Sequence, residues 1–577
     1  MPWLRGVCVM GKPRTFRETG VQDDMAGNRN AEWKRKRRAR AAAWRRLLHL
    51  IWYTAPFCFG VYGYLKLWPG RYLDSLYAAV SLYGGSCEAE DLNLWLEAAR
   101  WWGLAATGSG LIWLVRPLRD KALRLWISAC KGTIIYGSGF YAEKLAEDIS
   151  MEEGSFPKRI LLIQGDQASP AGRQILMRGP GTENLLFYEK NRDIFKGSQV
   201  YLNLETILPS GAMPDEVNVF SISENIARLY WKQYPVFLCH GEDKTTKREI
   251  GLIGFDNLGQ NLLAYGLLRN IYSEDQELVY HVWGAENQSF SRLHRIFEER
   301  NGDALFPDGT KDQVIFHEED WDSSQGLAVI RSLHRLIFCQ DHENSKNLTR
   351  LLFLLSDAEI WEIGEEKPGI HVKLGGGEAC GLAGEIKGAV RFFGRYEEAV
   401  TKEYIIREAL LKEAKELHWQ YANRAGQEKT EFRSEKEYRK AVEAAWKRLP
   451  SFFDRYSNIA AADYGEVLQC LLRECEREDG TVADTDMERL AALEHIRWCR
   501  FHWWNNWTLD ERLEKRSERE RKHPWLGPYR ELPKKEQQYD LEQVKECLRN
   551  LGERQETKQK EKGFGEYGNA GEEADEG

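Results

Sequence analysis

"KGTIIYGSGFYAEKLAEDI", Lys131 to Ile149, commits this part of the chain to an α/β architecture. Thr133 to Ile135 are β-branched, which favours a strand. The strand runs into Gly137-x-Gly139-x-x-Ala142, and a helical pattern follows. Such a glycine pattern carries meaning only between a strand and a helix, the context it has here. Gly137 permits the tight turn, and Gly139 lets the backbone approach a phosphate at the helix N-terminus. "KRILLIQGD" supplies a second strand and ends at Asp166, at the distance where a carboxylate meets a ribose. Gly137, Gly139, Ala142 and Asp166 are therefore candidate contacts for a nucleotide or dinucleotide.

Working outward, "REIGLIGFDNLGQNLLAYGLL", Arg248 to Leu268, repeats strand, glycine turn and helix. Asp256 stands where the middle glycine belongs, and its carboxylate would repel phosphate. "ELVYHVWG" and "QVIFHEED" add strands. The pattern predicts two Rossmann-like units, 131–245 and 246–399. His317 has no second histidine at metal-ligand spacing, and no serine or cysteine has a nucleophile elbow. No metal site and no catalytic constellation follow, so the chain reads as a non-enzyme with no cofactor beyond that candidate nucleotide or dinucleotide.

The 577 residues allow three or four domains. Charged residues make up 29% and hydrophobic ones 42%, with a net charge of -8, which does not suggest a nucleic-acid polymer binder. Eleven scattered cysteines read as reduced thiols. A basic leader (1–43) precedes "LLHLIWYTAPFCFGVYGYLKLW", Leu47 to Trp68. Leu47 to Leu65 holds no acid, Lys or Arg and would rise roughly 28 Å as a helix. "WWGLAATGSGLIWLV", Trp101 to Val115, extended back through Glu97 and Arg100, gives a second apolar run. Basic outer flanks and an acidic middle loop place both ends in the cytoplasm by the positive-inside rule. The expectation is an α-helical membrane hairpin over 44–118 in the inner (plasma) membrane, multi-pass and in contact with lipid. Between the runs, 72–87 reads as a re-entrant helix and turn. Tyr83, Gly84 and Gly85 would expose backbone carbonyls, and Glu88 and Glu90 would form an acidic ring, giving a cation preference.

That layout resembles two-helix pore-loop channels, although the T-V-G-Y-G filter is absent and "SLYGGS" stands in its place. With the tandem units it resembles channels gated by RCK (regulator of potassium conductance, TrkA-N) domains, over roughly 47–399. The resemblance implies a homo-oligomer, a tetramer, with a ring of α/β units pulling on the linker Arg116 to Lys131.

A charged helical connector (400–484) leads to "ERLAALEHIRWCRFHWWNNWT", Glu488 to Thr508, and "KHPWLGPYRELPKKEQQYDLEQVKECL", Lys522 to Leu548. His495 and Trp498, three apart, share a helical face, and Arg497 adds a fixed cation. Aromatic planes with Arg and His suit a base and its phosphate. This region (485–552) closely resembles the RyR domain, the repeat of ryanodine receptors and many bacterial proteins, with "NNW" where the family has Gly-Trp. His495, Arg497, Trp498, Trp507, His523 and Tyr529 are its candidate ligand contacts. The resemblance implies ligand sensing or protein interaction, in company with nucleotide-signal and defence systems. A polar acidic tail (553–577) reads as disordered. The functional expectation is a cation channel gated by a nucleotide-type signal in stress or antiviral defence. Its alternative is a membrane-anchored nucleotide sensor or scaffold without a pore.

Overall fold

The computed structural model describes residues 44, 47–48, 50–89, 92–114, 116–153, 159–179, 181–205, 217–237, 244, 246–298, 305–340, 343–364, 369–374, 388–426, 432, 434–449, 451–477 and 479–549. The whole basic leader (1–43), the whole acidic tail and Glu90 lie outside them. By contact the chain divides into two compact units. One is Met1–Thr133 with Ile149–Leu161 and Ser169–Gly172; the other holds Ile134–Asp148, Leu162–Ala168 and Arg173–Gly577.

In the first unit, helix α1 (50–67) is followed by α2 (Tyr72–Ser81), a 3-10 turn over Leu82–Gly84, α3 (Leu94–Leu114) and α4 (Arg116–Ala129). Tyr64, Ala78, Ala79, Leu82, Leu96 and Ala99 form its core. Gly60 lets α1 pack closely on Ala79 and Leu82: a Cβ there would lie 3.1 Å from Ala79 Cβ and 2.7 Å from Leu82 Cδ1. The predicted turn at Gly84–Gly85 exists, with Gly85 at φ 82°. The Tyr83 carbonyl accepts from Thr107 Oγ1 at 2.9 Å, and the Glu88 N–H donates to the Tyr64 hydroxyl at 3.2 Å.

The membrane hairpin is overturned. Among the described residues no helix is long and apolar enough to cross a membrane. Lack of charge is not the same as hydrocarbon character. Aromatic, glycine and hydroxyl residues fill α1 from Trp52 to Tyr64, and amphipathic Trp and Tyr rings favour an interface over a bilayer interior. In α3, Glu97, Arg100, Thr107 and Ser109 dilute the apolar run further. The multi-pass inner-membrane location falls with it. The pore roles of Tyr83, Gly84, Gly85 and Glu88 lose the spanning helices they required, and Glu90 lies outside the described residues.

The two α/β expectations hold. The first sheet has the order β2-β1-β3-β4-β5, from β1 (Thr133–Tyr136), β2 (Ile160–Ile163), β3 (Arg173–Leu176), β4 (Gln199–Asn203) and β5 (Val217–Phe220). Helix α5 (Phe140–Glu153) follows β1, and α6 (Ile222–Gln233) follows β5, capped by Ser221 accepting from the Glu224 N–H. The second sheet comprises β6 (Arg248–Ile253), β7 (Leu278–Trp283), β8 (Gln313–His317), β9 (Arg335–Phe338), β10 (Ile370–Lys373) and β11 (Val390–Phe393). Its order, β11-β10-β9-β6-β7-β8, is parallel throughout. Counted from β6 this is the 3-2-1-4-5-6 order of a doubly wound Rossmann sheet read from its far edge, with the switch point between β6 and β9. Helix α7 (Asn257–Arg269) follows β6.

The C-terminal part is mainly helical, with α8 (Lys412–Gly426), α9 (Glu435–Lys447), α10 (Phe452–Cys475) and α11 (Asp484–Trp504). A short parallel pair, β12 (Thr508–Leu509) with β13 (Lys522–His523), and helix α12 (534–549) complete it. Seven described cysteines are thiols, but Cys470 is disulfide-bonded, which corrects the all-thiol reading at that position.

Candidate ligand-binding site

Helix α11 is acidic in its first turn, at Asp484 and Asp486, which suits its positive N-terminal dipole. From Leu490 to Trp503 every residue is buried except Trp498. A surface helix buries one stripe; this one is enclosed on all sides. Trp498 is only partly buried, and it lines a cavity of about 680 Å³. The wall also includes His495, Arg497, His502, His523, Glu494 and Asp540. Four of the six predicted contacts, His495, Arg497, Trp498 and His523, therefore converge on one space.

His495 is held at both nitrogens. Nδ1 donates to Asp540 Oδ2 at 3.0 Å, and Nε2 donates to the Gly527 carbonyl at 3.0 Å. Each acceptor takes an N–H, so the ring is an imidazolium. Burial opposes that charge, but the hydrogen bond to the Asp540 carboxylate outweighs it and holds the pKa above its ordinary value. His523 goes the other way: burial, with Arg516 and His495 nearby, brings it down to about 4. Burial likewise holds His502 well below its ordinary value, and its Nδ1 donates to the Trp498 carbonyl at 2.9 Å. Trp498 thus stands among one charged and two neutral histidines, with ring centroids 5.4 Å from His495, 4.1 Å from His502 and 4.8 Å from His523.

Arg497 is 2% exposed and grips Glu494 with Nε at 3.1 Å and Nη2 at 2.6 Å. Its Nη1 is buried with no partner among the described residues. The other two predicted contacts do not line the cavity. Trp507 is buried and stacks on Phe453 at 5.1 Å, and the Tyr529 ring lies 6.0 Å from His495. Both support the wall.

Cys499 Sγ lies 3.3 Å from His495 Nε2, which with Asp540 has the outline of a thiol-based triad. The chemistry does not fit. Nε2 spends its proton on Gly527, and burial pushes the Cys499 thiol up. The group is structural.

The opposite side of α11 was missed by sequence reasoning. Arg500 is fully buried and reaches the second α/β sheet. It binds Asp308 Oδ2 through Nε at 2.7 Å, Asp312 Oδ2 through Nη1 at 2.8 Å, and the Leu267 carbonyl at 3.1 Å. Arg228 with Asp463 and Arg269 with Glu466 join α6 and α7 to α10. Glu224 accepts from Tyr265 and Tyr456 hydroxyls at 2.7 and 2.9 Å. Phe501 packs with Leu268 and Ala460.

The nucleotide contacts predicted in the first α/β sheet are partly assembled. A Cβ on Gly137 would lie 2.4 Å from the Met177 carbonyl, so only glycine fits beside β3. Gly137→Ala is therefore expected to cost about 1–3 kcal/mol in denaturant unfolding, as forced overpacking does. Gly139 has φ 107° and open space above it, and Ala142 is buried. Asp166 is not free for a ribose: its carboxylate pairs with Arg178, whose guanidinium lies 4.3 Å from the Phe187 ring. In the second sheet, the Gln340 side chain fills the space at the Gly254 turn, where a Cβ would lie 2.2 Å from Gln340 Cγ. A second histidine does approach His317, from the neighbouring strand: His281 Nδ1 is 2.9 Å from His317 Nε2, and His317 Nδ1 is 2.8 Å from Glu319. No group of three His, Cys, Asp or Glu among the described residues is placed to hold a metal.

Residues 482–554 match the RyR domain family. The match spans α11, the β12–β13 pair and α12, so it covers the cavity's central helix. No curated protein matches the sequence. One similar solved structure is a D-isomer specific 2-hydroxyacid dehydrogenase from Xanthobacter autotrophicus Py2, at 10% identity and a TM-score of 0.20, covering 49% of this chain and 96% of that one. A likeness this slight carries no argument about activity. The resemblance to RCK-gated pore-loop channels is not confirmed by these comparisons; the Rossmann-like topology and the RyR domain are what stand.

Proposed function

We propose that this chain is a small-molecule sensor. Its RyR module takes a nucleotide-type signal into the cavity, and α11 carries the occupancy to the second α/β sheet. The ligand-sensing half of the sequence expectation is kept and the pore is left out. The observation that carries the reading is that one helix serves both places: Trp498 lines the cavity, and Arg500, two residues on, is locked into Asp308 and Asp312. A ligand shifts a conformational equilibrium only by its differential affinity for the two states, so a rigid buried helix between site and partner is a suitable element.

The nucleotide class is supported by a half-exposed indole wall with flanking imidazoles, since any base offers a π-face to stack. The homo-oligomer remains part of the proposal. Leu73, Tyr77 and Val80, spaced along one face of α2, are 82%, 73% and 59% exposed, an apolar strip of the kind that marks association. Light scattering on the purified chain reads it directly; a strictly monomeric mass at micromolar concentration would remove this part.

Calorimetric titration of the full chain with a panel of purine and pyrimidine nucleotides tests the sensor reading. Trp498→Ala should weaken the tightest member by roughly tenfold to a hundredfold, the loss of one stacked base. A melting curve of the variant checks its fold separately, because the ring also packs on His495, His502 and His523. Equal affinity in both proteins would place the ligand elsewhere, and no binding by any member would end the nucleotide reading.

A further inference from the structure

The cavity wall has an unusual charge balance for a site that is to hold a nucleotide. Asp454, Glu494, Glu514, Glu536 and Asp540 are five carboxylates; Arg497, Lys515, Arg516, Lys535 and the His495 imidazolium are five cations. The three cations other than the lysines are already engaged. Arg497 holds Glu494, His495 holds Asp540, and Arg516 lies 3.3 Å from Asp454 and 2.8 Å from Glu518. Lys515 and Lys535 are exposed, where water and salt screen their charge. A polyphosphate would therefore bring several negative charges to a wall with no surplus of cations, and like charges brought together out of water are repelled.

One donor is left over. Arg497 Nη1 is buried and unpartnered among the described residues, on a side chain that lines the cavity. An unsatisfied donor of this kind is costly to keep, and a ligand oxygen would satisfy it. The indole of Trp498 supplies the stacking surface for a planar ring.

Resting on the nucleotide reading above, we propose that the cavity is selective for a base-bearing ligand with at most one phosphate, which gives a single oxygen acceptor to Arg497 Nη1. Nucleosides and nucleoside monophosphates fit this description; diphosphates and triphosphates do not. Arg497 is the specificity-determining residue, and Trp498 is indifferent to the phosphate count.

Calorimetry of the full chain with adenosine, AMP, ADP and ATP, and with the matching guanosine series, decides it. Affinity should be highest at the nucleoside or the monophosphate and fall several-fold with each further phosphate, in both series. Affinity that climbs from monophosphate to triphosphate, while Trp498→Ala still weakens binding tenfold or more, overturns the charge inference and leaves the sensor reading intact. Binding by no member of either series overturns this inference, and the pyrimidine members of the wider panel then decide the sensor reading. Arg497→Lys keeps a cation beside Glu494 but removes the spare planar N–H. It should cost the preferred ligand about tenfold or more, the loss of one charge-assisted hydrogen bond. Unchanged affinity in a folded Arg497→Lys protein overturns the role of Arg497. If that variant does not fold, the phosphate series on the unmodified chain still decides between the preference for at most one phosphate and its opposite.

Discussion

Arg500→Met is expected to lower the unfolding free energy by about 3–5 kcal/mol, the usual cost of stripping the partner from a buried charge. Arg500 is 0% exposed, and the Asp308 and Asp312 side chains it pairs with are 2% and 0% exposed. Methionine matches much of the volume, so the loss is electrostatic rather than a cavity. Two carboxylates would remain in a dry interior. Burial already pushes the Asp312 carboxyl up, and Arg500 is the main force holding it down. Without Arg500 the acids should take up protons on folding, so the deficit should shrink as pH falls. Equilibrium denaturant unfolding of the full chain reads this. Combining Arg500→Met with Asp308→Asn and Asp312→Asn should recover most of the loss, because a neutral, packed replacement of an ion network is often tolerated. A single variant as stable as the parent would mean that α11 is not locked to the second α/β sheet.

Asp540→Asn is expected to cost about 2–3 kcal/mol near neutral pH, through the charge-assisted hydrogen bond it removes from His495. The effect carries a pH signature. The His495 pKa is raised in the folded chain above the unfolded value of about 6.5. Its stabilising contribution is therefore complete below about pH 6.5 and is lost as pH rises towards the folded value. An asparagine cannot hold the imidazolium in the same way. Unfolding measured at about pH 6, 8 and 10 should show the parent losing stability with rising pH and the variant losing less. The gap between them narrows upward. A gap that stays constant over the range would show that His495 is not held as a cation.

What is legible in the sequence is local. Gly137, Gly139 and Gly254 announce strand–turn–helix units because the physics of a tight turn is contained in a few adjacent residues. His495 and Trp498 share a helical face by spacing alone, and their meeting in one cavity follows. His523 arrives from a loop after the helix, where the Trp498 ring makes an edge contact with it. Trp507 has the same look in sequence, but its indole packs on Phe453 as core. Nothing local distinguishes a buried indole from one that borders a cavity.

The missed parts are long-range. Arg500 sits in the same helix as the predicted contacts, yet its meaning comes from Asp308, 192 residues away. His281 meets His317 only because β7 and β8 are neighbours in register, with Trp283 opposite His317. Sequence spacing sees neither. The order of the first sheet, with β1 between β2 and β3, is likewise not readable from alternating patterns. The membrane hairpin fails for a different reason. The run from Leu47 to Leu65 is free of charge, but much of it is Trp, Tyr, Thr and Gly rather than aliphatic side chains.

Helix α11 joins the cavity to the second α/β sheet, and backbone hydrogen exchange of the full chain tests this most directly, with and without saturating AMP. The expected result is slower exchange in two places: along α11 at the cavity, and in α7 near Leu267 together with 305–312 around Asp308 and Asp312, the groups Arg500 grips. Protection confined to α11, with exchange in α7 and 305–312 unchanged by bound AMP, would contradict the account.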